Sequence, residues 1–152
     1  MLYSTLSSLL FAAVTSAAAI SSVSGGSQAK RNGYVGCYDV HNKPDWMKKD
    51  VFSSGFDKVC ADFRGVVIGP GSDLKVSVGN LKLEDGRDAF FVGDLSAQGI
   101  IENTGEFAYT VDYDYCRQRM ATIRDSCSGK NDDTYGGEWH DTIWVKADTN
   151  AA

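Results

Sequence analysis

Apolar residues follow three different rhythms along this chain, and each rhythm predicts a different kind of segment. From residue 2 to residue 19 they are nearly continuous. Leu2, Leu6, Leu9, Leu10, Phe11 and Val14 share the stretch with alanines and no charged side chain, and Ala17, Ala18 and Ala19 end it. A span of that composition, shorter than the roughly 20 apolar residues that cross a bilayer and finished by small residues, reads as a cleaved secretory signal ending at Ala19. Residues 20–31 are Ser- and Gly-rich and too polar to bury a core, so they read as a flexible spacer. The spacer ends in Lys30 and Arg31, which read either as a dibasic pair that a late secretory protease cuts, leaving a mature chain from Asn32, or as an ordinary charged linker end.

The second rhythm is helical. Phe52, Phe56, Val59, Cys60 and Phe63 stand at i, i+4, i+7, i+8 and i+11 and fill one helix face. Ser54 with Asp57 resembles a capping box, and Gly65 supplies a stop. A second face is Cys116, Met120, Ile123 and Cys127, with Asp112 as N-cap and Gly129 as stop.

The third rhythm is alternation. Tyr34 to Val40 is rich in Tyr and Val and ends before Pro44, as a strand would. After a Gly69-Pro70-Gly71 turn, Leu74, Val76 and Val78 alternate, but Leu81 and Leu83 continue in the opposite phase, so Gly79 marks a bulge. Asp85 and Gly86 form a hairpin signal leading to a strand over Ala89–Val92. Phe107, Tyr109 and Val111 make a short extended approach to the second helix, and Trp139–Val145 reads as the closing strand.

The order is βαββαβ, which predicts an α+β domain over residues 32–152. Its fold class is the ferredoxin-like split arrangement, an antiparallel sheet with two helices on one face. Four cysteines in an exported chain predict two disulfides, and arithmetic allows three pairings. That topology selects one of them. Cys60 is late in the first helix and Cys116 early in the second, at the same sheet edge, which leaves Cys37 for Cys127. No C-x-x-C knuckle exists, so no metal site and no cofactor are expected.

The formal net charge of -5, with interspersed signs, argues against general nucleic-acid binding, which needs a basic stripe. Asp112, Asp114, Asp132 and Asp133 do not form a calcium loop, and neither Ser53 nor Ser128 has a hydrolase context.

The segment YDYCRQRMATIRDSCSGKNDDTYGGEWHDTIWVKADTN, residues 113–150, resembles the end of a fungal secreted module: a Cys-bearing helix, a second Cys, a polar loop, Gly-Gly and a final strand. Upstream, KVCADFRGVVIGPGSDL, residues 58–74, resembles the same module's first helix and turn. The likeness is to killer-toxin subunits, to small effector-like proteins and to the modules that accompany killer-toxin-type class V chitinases, and it covers roughly residues 55–150. Many members carry a further Cys in the last strand, where this chain has His140 and Trp144. The resemblance transfers no catalytic residue. It implies a secreted, non-enzymatic binding protein acting on a host or competitor protein, a membrane or a cell-wall glycan.

Two sets of side chains are candidates for function. Trp46, Tyr135 and Trp139 would form a platform for sugar rings or a protein partner if they faced solvent together, with Trp139 beside its two glycines the first choice. The alternative is a secreted ribonuclease. His41 and His140, near Glu138, would then act as base and acid on an RNA phosphodiester, provided the first and last strands bring them together.

Overall fold

The computed structural model describes residues 33–39, 41, 45–97 and 108–152. The leader, Ala19, the spacer and the Lys30-Arg31 pair lie outside the described residues, as do Val40, Pro44 and Phe107.

Along the described chain the elements are β1 (Tyr34–Cys37), β2 (Met47–Lys48), α1 (Lys49–Phe63), β3 (Val67–Ile68), β4 (Asp73–Lys82), β5 (Asp88–Ser96), β6 (Tyr109–Thr110), α2 (Tyr113–Ser126), β7 (Asp133–Thr134), β8 (Gly136–His140) and β9 (Trp144–Ala151). Five strands form one antiparallel sheet in the order β1-β8-β9-β5-β4. The short strands pair as β2 with β7 and β3 with β6.

The helices sit where the periodicity put them. Phe52, Phe56, Val59, Cys60 and Phe63 are the buried side of α1, and Cys116, Met120 and Ile123 that of α2. Burying a large apolar side chain contributes about 1.5 to 3 kcal/mol, so these residues, with Phe91 and Leu95 of β5 and Val145 of β9, are the energetic centre of the domain. Both helices meet the same sheet face over Gly93. An added Cβ there would collide with Val59 of α1 and come within 3.0 Å of the Met120 methyl of α2.

The helix ends are a mixed result. Asp112 caps α2 through a 2.7 Å bond accepted from the Tyr115 amide. Gly65 ends α1 at φ +75, a conformation only glycine adopts freely, and its N–H donates to the Val111 carbonyl. The expected capping box at Ser54 and Asp57 is not a cap. The helix begins at Lys49, five residues earlier, and no side chain caps it. Ser54 donates its hydroxyl back to the Val51 carbonyl, the usual bond of a serine inside a helix, and Asp57 faces Arg117 of α2 at 2.6 Å.

The β4–β5 hairpin also follows the sequence. Its register slips between Val78 and Leu81, next to Asn80 at φ +59, and Gly86 turns the chain at φ +88. β5 continues to Ser96, beyond the expected end at Val92.

The closing run departs most from expectation. Trp139–Val145 is not one strand. Asp141, whose carboxylate accepts from the Thr142 amide, turns the chain there, so β8 ends at His140 and β9 begins at Trp144. The sheet therefore has five strands, with β9 inserted between β8 and β5. β1 still pairs with the first half of the closing run, from Tyr34 opposite His140 to Cys37 opposite Gly137, but at the sheet edge.

The two disulfides join Cys60 to Cys116, between the helices, and Cys37 to Cys127, between edge strand and helix end. Their Cα separations are 5.7 Å and 5.4 Å respectively, within the ordinary range.

Candidate binding surfaces

The sheet face turned away from the helices carries an aromatic row beside a charged one. Register aligns Tyr34, His140 and Trp144 in one row across β1, β8 and β9. The Tyr34 and His140 rings stack at 4.9 Å with a 6° tilt, and His140 lies 4.6 Å from Trp144. Parallel rings on adjacent strands stand upright like plates, so the row offers solvent its end rather than a broad floor. That end is Tyr34, which is 63% exposed.

The next row is charged. Glu138 stands opposite Lys146, which stands opposite Asp94, which stands opposite Lys75. Glu138 is the hub. Its carboxylate contacts His140 Nε2 at 2.9 Å and Lys146 Nζ at 3.4 Å, and it accepts the Tyr38 hydroxyl. Burial, with Asp148, Glu138 and Asp94 nearby, pushes the Tyr38 phenol above its ordinary range. Burial also raises the Asp94 carboxyl, reinforced by Asp73 and opposed by Lys146 and Lys75.

The two histidines are not brought together. His140 faces the first residue of β1, whereas His41 follows the last, so they lie toward opposite ends of the ladder. His41 is exposed, and its amide is held by Asp39. His140 and Glu138 do meet, as the ribonuclease alternative requires of that pair alone.

The three candidate aromatics divide as well. Trp139 points to the helix side. The Arg119 guanidinium lies 4.3 Å over its ring and 4.8 Å over that of Tyr115, and Gly33 presses on the indole so closely that a Cβ would overlap it. Trp139 is thus a packing residue, not the exposed platform its neighbouring glycines suggested. Gly137 is needed for another approach, with the Cys127 sulfur 2.9 Å from the place of its missing Cβ.

Trp46 and Tyr135 meet edge to face at 4.6 Å. Tyr135 is buried, and Trp46 is half-buried over Gly129. Beside Trp46 opens a shallow pocket of about 300 Å³ whose other walls are Glu84, Asp85 and Asn131. The Trp46 carbonyl accepts the Glu84 amide at 2.8 Å, fixing indole and carboxylate side by side. Lys48 reaches Glu84 at 3.1 Å and the Asn131 carbonyl at 2.7 Å, while Arg87 holds Asp85 at 2.7 Å and Asp45 at 3.0 Å. Behind Glu84 lies the buried Asp133. Burial and the Glu84 carboxylate push Asp133 up, whereas the bond from Asp133, and then Lys48, hold Glu84 down. Sequence reasoning found Trp46 but not Glu84 or Asp85, because they are brought to it by the turn of a distant hairpin.

Among the described residues no His, Cys, Asp and Glu group is placed to hold a metal ion, and no helix is long and apolar enough to cross a membrane. No protein-family model, curated protein or solved structure matches the chain.

Proposed function

We propose that this chain is an extracellular, non-enzymatic binding protein, effector-like or killer-toxin-like, that acts on a host, competitor or cell-wall target through the open face of its sheet. The observation that carries this reading is Tyr34, a ring 63% exposed at the free end of an ordered stack, on an edge strand tied down by a disulfide. Rigid aromatics of this kind anchor partners at small entropic cost. The apolar leader and the paired cysteines support export, and the likeness of residues 55–150 to killer-toxin subunits supports the same class.

The test is retention of the oxidised protein on insoluble chitin, β-glucan, plant cell wall and intact cells, compared with Tyr34→Ala. Retention that the substitution lowers is expected. Equal retention of both proteins, or none on any surface, overturns the reading. One observation favours the ribonuclease alternative, the His140–Glu138 contact. RNA cleavage abolished by His140→Ala would replace the proposal with that activity.

A further inference from the structure

The Trp46 pocket is separate from the Tyr34 row. Asp45, beside Trp46, accepts the Ala151 amide at the end of β9, whereas Trp144, in the row, begins that strand. Seven residues of strand span about 23 Å.

Three properties of the pocket define what it accepts. It has one aromatic wall, Trp46, whose indole can cover an apolar ring face. Its other walls are rich in acceptors, the carboxylates of Glu84 and Asp85. Each lining carboxylate already has a cation, Glu84 Lys48 and Asp85 the Arg87 that it shares with Asp45. An anionic ligand would meet two carboxylates, and a cationic one would compete with Lys48 and Arg87 for them. A neutral ring bearing hydroxyl donors on its rim and C–H groups on its faces meets neither obstacle. Lys48 and Arg87 supply donors at the same rim, so a hydroxyl can both give and receive. The volume, at the lower end of the roughly 300 to 1,000 Å³ of ligand sites, suits one such ring rather than a peptide.

We propose that the pocket bounded by Trp46, Glu84, Asp85 and Asn131 binds a neutral pyranose ring of a glycan, stacked on the indole and hydrogen-bonded through its hydroxyls to the two carboxylates. The assignment rests on the binding-protein reading and gives it a second contact with a sugar-bearing surface. The pocket is held ready for it, since Trp46 is braced by Tyr135 and its chain is bonded to the β4–β5 hairpin.

The experiment is titration of the oxidised protein with soluble chitohexaose and laminarihexaose, followed by isotope-edited NMR shifts and calorimetry, and repeated with Trp46→Ala and Asp85→Asn. Saturable binding that shifts resonances around Trp46 is expected. Trp46→Ala abolishes it, and Asp85→Asn, at an exposed position that does not endanger folding, weakens it roughly tenfold by removing a charged acceptor. No saturable response to either sugar, a response that survives both pocket substitutions, or binding of a lysine-rich peptide in their place overturns the assignment. None of those results touches the Tyr34 retention test, so the two proposals fail separately.

Discussion

Gly93 of β5 lies directly beneath Val59 of α1, with no room between them for a Cβ. The same glycine receives the Met120 methyl of α2, so one missing side chain sets how close both helices come to the sheet.

Gly93→Ala is therefore expected to destabilise the domain by about 1 to 3 kcal/mol, the usual cost of overpacking a filled core. Denaturant unfolding of the oxidised protein measures it. A change below about 0.5 kcal/mol would show that the helices can lift without penalty.

Trp139 and Trp46 should separate stability from recognition. Trp139→Ala empties the space between Arg119 and Gly33 and is expected to cost about 2 to 4 kcal/mol, less than a fully buried tryptophan. Retention of the variant on the target surface should stay native at temperatures where it is folded. Loss of retention by a folded Trp139→Ala protein would return that residue to the binding surface.

Removal of Cys60 and Cys116 together, as a double alanine variant, is expected to cost about 2 to 5 kcal/mol. The bridge closes 56 residues of chain, and both sulfurs lie in the core, so cavity terms add to the lost chain constraint. A melting temperature equal to that of the native protein would contradict it.

Asp94 gives a pH dependence with a definite sign. Its carboxyl is raised in the folded chain, chiefly by burial, so the native state holds this proton to higher pH than the unfolded state does. Stability from this group is then present below the ordinary carboxylate range and falls as pH rises through the raised value. Asp94→Asn should be more stable than the native protein at neutral pH and should flatten that part of the profile. Unfolding midpoints measured from pH 3 to 8 on both proteins give the comparison, and a variant less stable at neutral pH would mean that Lys146 and Lys75 outweigh the burial.

Much of this architecture is legible in the residues. The helix faces, the Asp112 cap, the irregularity at Gly79, seen as the slip between Val78 and Leu81, and the pairing of Cys60 with Cys116 and Cys37 with Cys127 all follow from local pattern plus a coarse topology. What pattern does not show has physical causes. The start of α1 carries no capping side chain, so Ser54, a serine inside the helix, imitates one. The turn at Asp141 lacks glycine and proline and is made by a side-chain bond to Thr142, so one apparent strand conceals two. The far half of β9, from Lys146 to Ala151, is polar or small on both faces and has little strand signature, yet β5 pairs with it throughout and β8 as far as Asp148. Exposure of aromatics is the least legible property. Trp139 and Tyr34 differ in it because one faces the helices and the other faces away, a matter of a single residue in register.

The two bridges differ in reach as well as in place. Cys60 and Cys116 have no accessible surface, whereas Cys37 sits exposed on the edge strand. In a thiol-rich compartment attack begins at Cys37, and the first piece to come loose is β1, which carries Tyr34. The domain thus has an order of failure: in a reducing medium it would release its edge strand, with the Tyr34 ring, while its helices were still clamped together and well before it unfolded.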